Sequence, residues 1–189
     1  MKSLLFIVGV VFAVLVLPVS DAWGQDAFTE DMAVVIALAE QGDAEAQFKL
    51  GKAYFYGSGV PLDTDKAVKL IRTAADQGHA GSQTLMGTFY LLGDAVAVDQ
   101  AESIKWFKRA AIQGNSTAQF SLGIIYKDAS DVPDHKITAY AWYAIAQAQG
   151  DELAIQFKDV FEKGMSQEGI IEAQKMALQC LASNYENCG

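Results

Sequence analysis

Apolar residues recur at helical spacing through most of the chain. Between residues 44 and 56 the apolar or small positions are Ala46, Leu50, Ala53 and Tyr54; between 64 and 77 they are Ala67, Leu70, Ile71, Ala74 and Ala75. Steps of three, four and seven place each set on one face of an amphipathic helix. The pattern predicts a helix over about Ala44–Tyr56 and another over about Thr64–Gln77. Between them, Gly57-Ser58-Gly59-Val60-Pro61 interrupts the periodicity with residues that break helices. Asp63 or Thr64 can cap the second helix. Gly78 follows its last apolar position, where a left-handed residue ends a helix.

The same arrangement recurs three times. Gly51, Gly87 and Gly123 lie 36 residues apart, and so do Gln47, Gln83 and Gln119, Tyr54, Tyr90 and Tyr126, and Gly78, Gly114 and Gly150. Val60, Val96 and Val132 keep the same step, and Leu70, Trp106 and Trp142 match as bulky apolar residues. An ungapped period over this many positions is the mark of stacked repeats. The predicted units are 43–78 (unit 1), 79–114 (unit 2) and 115–150 (unit 3). Gly42 stands one period before Gly78, so Thr29–Gln41 reads as the second helix of a unit lacking its first, within a half-repeat at 25–42. Downstream, Glu152–Lys163 and about Gln167–Ser183 read as a diverged capping pair over 151–189, with Ser166 as an N-cap. One pair cannot bury its apolar faces, whereas stacked pairs can. The expected fold is all-α, a right-handed α-solenoid of antiparallel helix pairs.

Gly51, Gly87 and Gly123 sit mid-helix, where glycine costs about 1 kcal/mol against alanine. A cost repeated in every unit implies close approach of the partner helix, with the Tyr54-type rings filling the adjoining space. On that reading Tyr90→Ala costs about 3–5 kcal/mol, as for other buried aromatics. Trp106, Phe107, Tyr140, Trp142 and Tyr143 fall on second helices and are expected in the core, with Tyr140 or Tyr143 the candidates for exposure.

Gly42-Asp43-Ala44-Glu45-Ala46-Gln47, Leu50-Gly51-x-x-Tyr54, Gly57-x-Gly59-Val60-Pro61, Asp63, Lys66-Ala67 and Ala74-Ala75-x-x-Gly78 together resemble the Sel1-like repeat, a tetratricopeptide-like (TPR-like) branch of the α-solenoids. The likeness covers about Thr29 to Gly150. The tail from Met165-Ser166-Gln167 to Cys188 is similar to the closing segment of some exported bacterial members. The resemblance implies a helical adaptor that binds other proteins, often in an envelope or secretory compartment, with no common catalytic residue set. Unit 2 departs from the pattern with Ala95 for Gly59 and Ala97 for Pro61. Unit 3 has Ala129 and Asp131 where glycines would stand, so its loop should take another shape.

Charge and composition narrow the function classes. The 189 residues include 23 acidic and 14 basic, a net charge of −9. Without a basic block the chain is a poor binder of nucleic acid and of anionic lipid headgroups. A hydrophobic share of 51% with only three prolines excludes disorder as the dominant state. At the N-terminus, Lys2 precedes an uncharged stretch that is apolar from Leu4 to Leu17 and broken by Pro18. Ser20-Asp21-Ala22 and Ala22-Trp23-Gly24 both fit small-x-small cleavage, so 1–24 reads as a secretory signal peptide. The run falls short of the roughly 20 apolar residues of a spanning helix. The mature protein is then expected to be periplasmic or secreted, without a membrane span. In an oxidising compartment Cys180 and Cys188 are expected to pair as a disulfide, with two free thiols the alternative. Eight residues of unbroken helix would span about 12 Å, beyond disulfide reach. The helix carrying Cys180 must therefore end and fold back near Ser183-Asn184.

No His-Glu-x-x-His, Gly-x-Ser-x-Gly or P-loop pattern occurs, which removes the commonest hydrolase and nucleotide signatures. His79 and His135 are the only histidines; the first is expected to cap or lie at the surface, the second to sit in a loop beside a cap. Asp63, Asp65, Asp99, Asp131 and Asp134 fall at helix starts, where negative charge suits the dipole, rather than in one compact calcium loop. Asn115-Ser116-Thr117 fits a glycosylation acceptor and equally an inter-repeat cap. No catalytic residue, cofactor or metal site is expected. In an α-solenoid the first helices line the concave face. Removing packing positions leaves Glu45, Phe48, Lys52 and Phe55 on unit 1, Gly81, Thr84, Thr88 and Leu91 on unit 2, and Thr117, Phe120, Ile124 and Lys127 on unit 3. The expected function is an adaptor of the bacterial cell envelope. It would take a partner protein or peptide on Phe48, Lys52, Phe55, Thr84, Thr88, Leu91, Phe120 and Ile124. An envelope hydrolase and self-association through uncovered solenoid ends are the alternatives.

Overall fold

The structure, a computed structural model, describes residues 22–130, 134–183 and 185, with side chains from residue 31 onward. The apolar run of the expected signal peptide, Asp131, Val132 and Cys188 lie outside the described residues. Among those described there are nine helices and no strand. They are α1 (Ala22–Glu40), α2 (Ala44–Tyr56), α3 (Thr64–Asp76), α4 (Ala80–Leu92), α5 (Gln100–Ala111), α6 (Ser116–Lys127), α7 (His135–Ala148), α8 (Glu152–Glu162) and α9 (Gln167–Ala182). Helices α2–α3, α4–α5 and α6–α7 form pairs, and each second helix packs next on the first helix of the following unit. Helix α1 packs on α2. The result is the expected all-α, TPR-like solenoid. Among the described residues no helix is long and apolar enough to cross a membrane.

Side-chain caps set the register. Asp43, His79, Asn115 and Asp151 precede α2, α4, α6 and α8, and each accepts the backbone N–H three residues on. Asp63 and Asp99 do the same for α3 and α5. Each bond satisfies a donor that a helix start otherwise leaves unpaired. The unit 3 loop does differ. Gly57 and Gly93 end α2 and α4 at φ 66 and 78, whereas α6 ends on Asp128. Asp134 enters α7 at φ 55 without a side-chain cap, and His135 is the first residue of the helix.

The glycine approach is real, but its occupant differs from the expectation. A Cβ on Gly51, Gly87 or Gly123 would lie 2.6 Å from Ile71, 2.8 Å from Phe107 and 2.5 Å from Tyr143. These three neighbours are themselves one period apart and come from the second helix of the same unit. Tyr54, Tyr90 and Tyr126 are only half-buried, and Tyr90 Oη reaches the solvent edge to accept from Arg72 at 2.7 Å. Tyr90→Ala therefore forfeits less than a buried ring would. Tyr140 and Tyr143 are both fully buried, so neither is exposed.

The C-terminal helices do not form a fourth hairpin. Helix α8 packs on α7, and α9 returns to α7 rather than pairing with α8. The buried stripe of α9 is Ile170, Ala173, Ala177 and Cys180, small enough for close approach. Beyond α9, Tyr185 adopts φ 69 and its N–H donates to Cys180 O at 2.8 Å.

Candidate functional site

Seven of the eight residues expected to form the docking face are half-buried, and Lys52 is exposed. The Phe48 ring lies 4.8 Å from the His79 imidazole, with Lys52 Nζ 5.3 Å from its centroid. Phe48 rests over Gly81, where a Cβ would come within 3.3 Å of the ring. Phe55 stacks against Phe89 at 5.0 Å. Phe120 lies 5.8 Å from Tyr143 and 5.1 Å from Phe157. Leu91 borders the C-terminal core cluster. Thr84 and Thr88 donate their hydroxyls to Ala80 O and Thr84 O, at 2.9 and 3.1 Å. With each hydroxyl consumed by its own helix, these threonines offer mainly methyl surface. The row is thus mainly apolar and anchored: Phe55 and Phe120 pack on the buried rings of Phe89 and Tyr143, and Phe48 on His79 and Gly81. Phe120 is wedged between two rings, so a charge there disturbs the fold as well as the surface.

The row extends one helix further than the sequence reading took it. Leu153 and Val160 of α8 stand one period after Thr117 and Ile124, and they are 53% and 70% exposed. The signal was present: the cap Asp151 lies one period after Asn115. Extending the step past Gly150 finds both residues.

Three charged or polar groups at the start of this face are tied together, while Lys52, among the described residues, meets only the Phe48 ring. His79 Nδ1 accepts the Ser82 N–H at 3.1 Å, and Nε2 lies 2.9 Å from Glu45 Oε2. A ring accepting at Nδ1 carries its proton on Nε2, so neutral His79 donates to Glu45 and ties unit 1 to unit 2. Glu45 also pairs with Lys49 at 3.2 Å. The hydrogen bond from Lys49 is the main cause that holds its carboxyl below the usual value; burial opposes it, and the His79 hydrogen bond adds a lesser lowering. Asn115, the glycosylation-like residue, caps α6 through Ala118 N at 2.9 Å. Among the described residues no cluster of three or more His, Cys, Asp or Glu side chains is arranged to hold a metal ion.

Such a series of capped, stacked helix pairs defines an α-solenoid repeat scaffold. The Sel1 repeat family model matches residues 44–79, 80–115 and 116–151, and the chain belongs to that family. Sel1 repeat proteins mediate protein–protein interaction and typically serve as non-catalytic scaffolds. The crystal structure of a Sel1 repeat protein from Oxalobacter formigenes is similar, with 34% identity, TM-score 0.63, and coverage of 69% of this chain and 98% of that one. So is c5321, described as a protective antigen present in uropathogenic Escherichia coli strains displaying an SLR fold. It has 30% identity and TM-score 0.67; the match covers 76% of this chain but only 31% of that protein. No curated protein sequence matches the chain.

Proposed function

We propose that the chain is a non-catalytic adaptor of the bacterial cell envelope that docks a segment of a partner protein on its first-helix face, the concave side of the solenoid. The observation behind this reading is the row running from Phe48 and Phe55 through Thr84, Thr88 and Leu91 to Phe120 and Ile124, and on to the exposed Leu153 and Val160. Side chains fixed by the core but open on one edge present apolar area without much ordering cost on binding. The envelope assignment rests on the uncharged Leu4–Leu17 run and its small-residue exit. Burial of Cys180 and the left-handed Tyr185, whose N–H returns to Cys180 O, support a Cys180–Cys188 staple in the mature protein.

A photo-crosslinking residue at position 160 or 55 should capture a discrete partner in intact cells, while one at Lys105, on a second helix, should not. Leu153→Glu with Val160→Glu should abolish capture and leave helicity unchanged. Equal capture from both faces would sink the docking reading. Cell fractionation checks export, since an unprocessed cytoplasmic chain contradicts it. Alkylation of the unreduced protein checks the staple: two modified cysteines contradict it.

A further inference from the structure

The other side of unit 1 holds an open groove of about 520 Å³ between α1 and α3, with Ile36, Leu50, Tyr54 and Leu70 among its walls. Leu50 and Tyr54 face roughly 130° around α2 from Phe48, Lys52 and Phe55 at 100° per residue, so the groove opens away from the docking row. One period on, the chain fills the same place itself. Trp106 replaces Leu70 and is 5% exposed. The Arg109 guanidinium lies 4.6 Å from its ring, and Arg72 bonds to Tyr90 Oη. Trp142, two periods on, is 2% exposed. Unit 1 thus has Leu70, Thr73 and Ile36 where unit 2 has Trp106, Arg109 and Arg72, every one smaller.

Charge changes together with shape. In unit 2 Glu102 pairs with Lys105 at 3.2 Å. Unit 1 puts Lys66 and Lys69 in those positions. Lys66 turns to Asp63 at 3.1 Å. Among the described residues no carboxylate lies within ion-pair distance of Lys69, which lines the groove with Glu40 on the α1 wall. The space suits a small molecule, as ligand pockets run to about 300–1,000 Å³.

We propose that this groove binds a ligand carrying an indole-sized aromatic ring and a carboxylate. The ring takes the place that Trp106 fills one unit on, and the carboxylate pairs with Lys69. A free aromatic amino acid and the C-terminal aromatic residue of a peptide share this chemistry.

The test titrates the protein with N-acetyltryptophan, its neutral amide, tryptophan and acetyl-alanyl-tryptophan, and follows the methyl signals of Ile36, Leu50 and Leu70. The carboxylates should shift these methyls, with the amide weaker by about tenfold. Tryptophan binding more tightly than the dipeptide identifies a free amino acid, and the reverse order identifies a chain terminus. Leu70→Trp should fill the groove, abolish binding and raise Tm. Should that variant fail to fold, Lys69→Glu leaves the core untouched and should weaken the carboxylates to the level of the amide. The proposal is overturned by an absence of shifts at millimolar ligand, by equal binding of acid and amide, or by binding that survives both substitutions. Glutamate substitutions at Leu153 and Val160 should leave binding unchanged, so this site and the docking row stand or fall separately.

Discussion

In units 1 and 2 the buried glutamine of the first helix is bonded at both ends. Gln47 and Gln83 donate to Ala39 O and Ala75 O, and accept from Gln77 and Gln113 at 2.7 Å. In unit 3 Gln119 donates to Ala111 O in the same way. Gln149, which occupies the place of Gln77 and Gln113, instead donates to Tyr185 Oη at 2.7 Å. Gln119 Oε1 is left fully buried without a partner among the described residues. Tyr143 Oη, in the same unit, is orphaned likewise, and burial pushes that phenol well above its ordinary value of 10.0. The contrast shows where the solenoid's regularity is given up. Internal units satisfy each other, and the last unit yields a donor to the segment that closes the chain.

The largest effect should come from breaking a complete rung. Gln83→Ala removes two hydrogen bonds, each contributing about 1 kcal/mol, and leaves a cavity, for a loss of about 3 kcal/mol in denaturant unfolding. Gln119→Ala removes one bond and an acceptor that was never paired, so about 2 kcal/mol should be lost. Equal losses would mean that Gln119 Oε1 has a partner after all. Tyr143→Phe deletes the other orphan and restores the residue found at Phe107. It should be stabilising by up to about 1 kcal/mol, because no bond is lost and a buried hydroxyl is removed. A loss of stability would contradict the unpaired state.

Tyr185→Phe should change stability by less than about 0.5 kcal/mol, since the freed Gln149 can turn to Gln119 and complete the third rung. The Gln149 side-chain amide protons should then exchange with solvent more slowly. An amide that stays solvent-like would show that the rung cannot form in unit 3 at all.

The internal units were legible because their step of 36 repeats side chains whose roles are local: caps, helix-ending glycines and apolar stripes. The close approach at Gly51, Gly87 and Gly123 was legible too, since mid-helix glycine has few other uses. Its occupant was not. Tyr54 belongs to the same helix as Gly51, whereas Ile71 reaches it from the partner helix, and only the packing angle distinguishes them. The return of α9 to α7 also escaped the pattern, because the stripe of α9 specifies a close neighbour without specifying which one. The apolar row of the first helices was read on three helices and not carried on to α8, where the matching glycines and tyrosines have disappeared and only the cap and the register remain.

The smallest effect tests whether the regular units keep their edge at the surface as well as in the core. Asp63 is held below its ordinary value of 3.8, chiefly by the Lys66 backbone N–H and then by that residue's ammonium. Lys66 is held above 10.5 by Asp63. A depressed carboxyl contributes stability that is present above its unfolded value and lost as pH falls through its folded one. A raised ammonium contributes stability that is present below its unfolded value and lost as pH rises through its folded one. The pair therefore supports unit 1 across neutral pH and lapses at both extremes. Asp63→Asn keeps an acceptor for the cap and removes the charge, so its Tm deficit should be largest near neutrality and should fade as pH falls below 3.8 and through the lowered folded value. Salt should shrink the deficit, because both groups face solvent. The matching substitution at Asp134, which makes no cap bond, should give no such profile, and a similar pH dependence at both positions would remove the distinction between regular and diverged units at the helix caps.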